Sequence, residues 1–70
     1  MKAYVIARPV LAGWKVMSFI AEDTDEQATV AARGMGLDWP GSVDSLFEIQ
    51  DPKNTIHDGI APTGALRLVA

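Results

Sequence analysis

The chain has no cysteine and a single histidine among its 70 residues. Disulfides and thiolate metal sites are therefore excluded, and His57 alone cannot build a zinc centre. Basic residues are also scarce. Six lysines and arginines stand against nine aspartates and glutamates, for a formal net charge of −3, which argues against generic affinity for nucleic acid or an anionic membrane. No basic run is interleaved with aromatics, so an RNA-binding sheet is not expected. No glycine-rich loop opens a helix. Gly34 and Gly36 end one, whereas a phosphate cradle has to begin one. Apolar runs are short: residues 3–7 are followed at once by Arg8 and Pro9, too little for a signal-peptide core or a membrane span. These absences predict a cytoplasmic protein that uses no cofactor or metal and makes no direct contact with nucleic acid or membrane.

What is present fits one domain covering residues 1–70. A chain of this length buries about 60% of its unfolded surface, so a stability of roughly 3–10 kcal/mol is expected. Hydrophobic residues make up 49% of the chain, enough for one core without covalent staples.

Residues 24–36, TDEQATVAARGMG, form the segment with both helix ends marked. Thr24 is a good N-cap, and with Gln27 it makes a capping box. Asp25 and Glu26 place negative charge at the positive end of the helix dipole. Ala28, Ala31, Ala32 and Met35 follow helical spacing and give one apolar stripe. Gly36 can adopt the left-handed conformation that closes a helix. A stripe made mostly of alanine lets the helix lie close to a sheet, so the bulky core residues must come from strands.

Residues 2–8, KAYVIAR, read as a first strand, apolar on both faces and hence central, with Pro9 ending its pairing. Residues 14–21, WKVMSFIA, read as a second strand and make an antiparallel hairpin with the first. Plain alternation puts Trp14, Val16, Ser18 and Ile20 on one face and Lys15, Met17, Phe19 and Ala21 on the other. Pro40 and Gly41 suit the centre of a type II turn. Residues 45–50 form the third strand, with Phe47 and Ile49 inward and Leu46 and Glu48 outward. Residues 65–70 form the last, with Leu66 and Leu68 inward and Arg67 outward. Residues 51–64 are a long turn-rich connection of the kind that is often functional. The expected fold is α+β, ββαββ, a mostly antiparallel four-stranded sheet with one helix on one face. One helix covers one face only, so the other is expected to be partly apolar and to meet a partner or a second copy.

Chemical motifs are few. His57-Asp58 is the one pair resembling acid–base equipment, and no nucleophile motif accompanies it. Glu22, Asp23, Asp25 and Glu26 form an acidic knot without the spacing or glycine of a calcium loop. Its more informative reading is a negative patch offered to a basic protein surface, with Asp38 and Trp39 alongside it as a further charge and an aromatic anchor. No residue set points to catalysis, and the chain is read as a non-enzyme.

A chain opening Met1-Lys2-Ala3-Tyr4-Val5-Ile6, with a second strand ending Ile20-Ala21-Glu22-Asp23 and then a capped alanine-rich helix, resembles the small anti-CRISPR proteins of phages and mobile elements. The resemblance lies in size, acidity and topology, and carries no functional residue with it. It implies an inhibitor in the cytoplasm of a bacterial host that binds a nucleic-acid-binding effector complex, blocking DNA recognition sterically or by imitating DNA. The partner-binding residues expected on that reading are Glu22, Asp23, Asp25, Glu26, Asp38 and Trp39. The alternative is a small structural or assembly protein that forms a homodimer through the open sheet face.

Overall fold

The computed structural model describes residues 1–41, 43–50 and 56–70. The described elements are β1 (Lys2–Val10), β2 (Gly13–Glu22), α1 (Asp25–Arg33), β3 (Ser45–Ile49), β4 (Ile60–Ala61), a short 3-10 turn (Thr63–Ala65) and β5 (Leu66–Leu68). The strands form one five-stranded sheet in the order β4-β2-β1-β3-β5, and every pairing is antiparallel. The fold is therefore α+β with one α-helix, as expected. The sheet gains a strand over the expected four because a two-residue β4 emerges from residues 51–64. The last strand shortens from residues 65–70 to Leu66–Leu68 behind the 3-10 turn. No described helix is long and apolar enough to cross a membrane.

β1 holds the centre, which explains its apolar character on both faces. Tyr4, Val5, Ile6 and Ala7 are all fully buried. It extends two residues past the expected end, with Pro9 still in register with Trp14. Pairing of β1 with β3 stops at Ala7, so at Pro9 the strand has a neighbour on one side only among the described strands, and there a proline is tolerated. The hairpin turns through Leu11 and Ala12. Gly13 is required after it. Its φ is +143°, and a Cβ would lie 2.5 Å from the Ala61 carbonyl oxygen of β4.

The register of β2 against β1 shifts between Ile6 and Ala7: Ser18 opposes Ile6, but Val16 opposes Ala7. Met17 is the extra residue of a β-bulge, and the bulge reverses the facing of everything before it. Ser18 and Ile20 share the α1 face with Ile6 and Tyr4. Trp14 and Val16 pack on the opposite face, with Val5, Ala7, Phe47 and Ile49. The single face expected for Trp14, Val16, Ser18 and Ile20 is thus split between two cores.

The first core lies under the helix and joins Tyr4, Ile6, Ile20, Leu46 and Trp39 to Ala28 and Ala32 of α1. The alanines sit against the sheet as the stripe requires, but Met35 is past the helix and 40% exposed. Thr24 caps the helix, its Oγ1 accepting from the Gln27 amide at 3.2 Å. The helix ends at Arg33, with Gly34 as its C-cap. Gly36, with φ +68°, makes the left-handed turn beyond it. The Trp39–Pro40 peptide is cis, and the turn expected at Pro40-Gly41 runs into residue 42, outside the described residues.

The second core occupies the face expected to be open. Curling of the sheet brings Trp14 of β2 across β1 to Phe47 of β3, with ring centroids 4.6 Å apart, and Ile56 and Leu66 pack against the same group. That face is therefore a core in its own right. Its exposed remnants are Phe19 (63%) and Leu68 (62%), at the two ends of the cross-strand row Phe19–Val5–Phe47–Leu68.

Candidate functional site

The richest polar arrangement joins α1 to the sheet. Ile20, Tyr4, Glu48 and Arg67 form a cross-strand row on the helix side. The first turn of α1 lowers Asp25 onto that row. The Tyr4 hydroxyl donates to Asp25 Oδ1 at 2.8 Å. One guanidinium nitrogen of Arg67 donates to both Asp25 oxygens, at 2.8 and 3.0 Å. Arg67 Nε donates to Glu48 Oε1 at 2.8 Å. The expectation that Arg67 points outward is corrected: it faces the helix side and holds two carboxylates that would otherwise repel each other.

The electrostatics follow from these contacts. The bonds from Arg67 and then Tyr4 hold the Asp25 carboxyl below the usual carboxylate value. Burial, followed by the hydrogen bond to the Asp25 carboxylate, pushes the Tyr4 phenol up to about 12. The two carboxylates push the Arg67 guanidinium up in turn. The network is mutually satisfied, and the shifts of Asp25 and Tyr4 both run away from neutral pH.

The acidic residues expected to meet a partner fall into different environments. Asp25 is engaged by Arg67 and Tyr4. Asp23 lies 3.5 Å from the amino group of Met1, with both groups well exposed. Glu22 ends β2, opposite Lys2 in register. Glu26 is exposed on α1 and Asp38 is exposed beyond it. Trp39 is buried in the helix-side core, its Nε1 donating to the Ala70 carbonyl at 3.3 Å. The indole is a core plug and not a surface anchor.

Two shallow depressions flank α1. One, of about 410 Å³, is lined by Glu22, Glu26, Gln27, Val30 and Ala31. The other, of about 390 Å³, runs along the opposite side of the helix past Asp25, Glu26, Thr29, Val30, Arg33 and Val69. Val30 belongs to both and is 68% exposed. Among the described residues neither Glu22 nor Glu26 takes part in an ion pair. The first depression thus combines two uncommitted carboxylates with an apolar floor.

His57 and Asp58 have a structural role. The His57 amide donates to the Ile60 carbonyl at 3.0 Å, and the Ile60 amide returns the bond at 3.0 Å. Asp58 (φ 55°) and Gly59 (φ 76°) turn between them, as in the two-residue hairpin turns that favour Asp-Gly. That dipeptide was the available signal for β4. The rest of residues 51–64 is described only from Ile56 onward, so the expected loop at residues 51–55 lies outside the described residues. No group of three or more His, Asp or Glu among the described residues is placed to hold a metal ion. The surface residue that alternation alone did not single out is Phe19, whose exposure follows from its place near the edge of the sheet.

Comparison with known protein families, with curated proteins and with solved structures finds no match to this chain.

Proposed function

We propose that this chain is a non-enzymatic protein-binding module that receives a basic segment of its partner against the acidic face of α1. The observation that carries the proposal is the depression in which Glu22 and Glu26, free of ion pairs among the described residues, flank the exposed Val30. Carboxylates at the rim steer and orient a cationic partner, and a desolvated aliphatic contact supplies the anchor. Asp23 and Asp38 add to the field, while Asp25 and Trp39 support it from inside the fold. In keeping with the resemblance to anti-CRISPR proteins, the partner is a nucleic-acid-binding effector complex in the bacterial cytoplasm. The lysines and arginines that would hold DNA phosphates are occupied instead by these carboxylates.

The test is a tagged pull-down from bacterial lysate with and without nuclease, run on the native chain and on a Glu22→Lys/Glu26→Lys variant. A DNA-binding complex that survives nuclease and is lost with the variant supports the reading. Equal recovery with both chains, at a preserved circular dichroism spectrum, overturns it.

A second reading is favoured by one observation, the exposed Phe19 and Leu68 at the ends of the second core. On that reading the protein assembles as a homodimer through this face. A concentration series in light scattering that stays at monomer mass removes it.

A further inference from the structure

β2 is ten residues long, but β4 covers only its first part. Trp14 and Lys15 pair with Ala61 and Ile60, and the Val16 amide donates to the Gly59 carbonyl at 2.8 Å. Beyond Val16, among the described residues, no strand pairs with the outer edge of β2. Residues 17–22, MSFIAE, therefore present a row of backbone donors and acceptors on the edge of an ordered sheet. Natural edge strands are usually protected by proline, lysine or inward-pointing charge. This stretch has neither proline nor lysine, and its bulge sits at its start, at Met17.

The two faces beside that edge differ. Toward the helix lies the depression lined by Glu22, Glu26, Gln27, Val30 and Ala31. On the opposite face Phe19 stands 63% exposed with no neighbour on its outer side among the described strands. A strand added here would place alternate side chains in these two settings, because side chains alternate across a sheet. Those on the helix side would meet carboxylates. Those on the other would continue the apolar row Phe19–Val5–Phe47–Leu68.

We infer that residues 17–22 of β2 bind an extended partner segment by β-strand addition, the segment alternating basic side chains toward α1 with apolar side chains over Phe19. The inference rests on the protein-binding reading above and specifies its geometry. Main-chain bonds along the free edge supply affinity, and the alternating settings supply selectivity. A second copy of the chain is the less favourable occupant. Pairing β2 with itself antiparallel over residues 17–22 about a two-fold axis opposes Glu22 of each copy to Met17 of the other, so a second copy brings no cation to these carboxylates. Each chain also carries a net charge of −3. A foreign basic strand meets attraction at Glu22 and Glu26, where a second copy brings only a net charge of the same sign.

The probe is a short synthetic peptide alternating lysine and valine, measured against the native chain by titration calorimetry and amide hydrogen exchange. Its control is the same peptide with alternate backbone nitrogens methylated, which keeps the charges but cannot complete a ladder. The expected result is protection of amides within residues 17–22 on binding, and an affinity at least about tenfold weaker for the methylated peptide, as loss of two or so backbone hydrogen bonds implies. Equal binding of both peptides, weakened alike by Glu22→Gln/Glu26→Gln, overturns strand addition and leaves the acidic-groove reading standing. Binding of neither peptide overturns the inference, and the lysate experiment then decides the broader reading on its own. Protection of the same amides in the chain alone, at dimer mass, also overturns it in favour of a second copy.

Discussion

The Tyr4 hydroxyl donates to Asp25 Oδ1 at 2.8 Å, tying the centre of β1 to the first turn of α1 across 21 positions of sequence. Burial and this carboxylate push the phenol from 10 up to about 12. The native state then holds the phenolic proton over a range in which the unfolded chain has lost it. Stability contributed by the proton is complete below pH 10 and falls as the pH rises toward about 12. Tyr4 is the sole tyrosine, so tyrosinate absorbance reads this group alone. The expected titration midpoint is well above that of free tyrosine. Tyr4→Phe is expected to lower the thermal midpoint by several degrees at neutral pH and to reduce the alkaline decline.

The acid side turns on Asp25. Its folded value is lowered from 3.8 by the Arg67 and Tyr4 hydrogen bonds. The unfolded chain therefore takes up this proton first as the pH drops, and stability rises with pH across that interval. The contribution is present above about pH 4 and is lost as the pH falls through the lowered folded value. Asp25→Asn is expected to lower stability at neutral pH and to flatten the acid limb of a urea-unfolding series. A variant whose acid limb matches the native one would show that Arg67 does not hold Asp25 charged.

Much of this arrangement was legible in the chain, for local reasons. The Thr24 cap, the acidic first turn and the alanine stripe are encoded within a few residues, and the apolar doubling of β1 marks a central strand. The rest depended on contacts remote in sequence. Asp25 and Arg67 are 42 positions apart, so Arg67 on alternation alone looked solvent-facing. Trp14 and Val16 were placed on the wrong face because Met17 carries no residue-type signature of a bulge. The second core was hidden for a related reason: only the curl of the sheet brings Trp14 across to Phe47. Trp39 illustrates the converse difficulty, since an aromatic beside a turn reads alike as an anchor or as a plug until its burial is known.

Arg8 and Asp44 form a second test of long-range pairing. Arg8 Nε lies 3.0 Å from Asp44 Oδ1 and its Nη2 lies 3.3 Å from Oδ2, while the Asp44 side chain is fully buried. Removing the guanidinium leaves a buried carboxylate without its cation, a more damaging change than loss of the pair as a whole. Arg8→Ala is expected to cost about 3 kcal/mol, and Arg8→Ala/Asp44→Ala less than the sum of the single changes. Urea-unfolding midpoints of the four chains in that cycle give the coupling. Strict additivity would mean that the pair contributes nothing beyond its separate members.

The bulge at Met17 separates the two facings of β2. With Met17 present, Ser18 and Ile20 face α1 while Trp14 and Val16 build the second core. Deleting Met17 makes Val16 and Ser18 sequence neighbours, and plain alternation then sends them to opposite faces, opposite Ala7 and Ile6 as in the native sheet. The deletion is therefore expected to keep cooperative unfolding and the near-ultraviolet dichroism of the tryptophans. Trp14→Ala, which keeps the register but removes the ring packed on Phe47, is expected to cost about 2–4 kcal/mol and to leave a cooperative transition. Leu11→Ala, at a fully exposed hairpin tip, should stay within about 0.5 kcal/mol of the native chain. A Met17 deletion that loses cooperative unfolding, or more stability than Trp14→Ala, would show that the fold requires the bulge itself and not only the facing on either side of it.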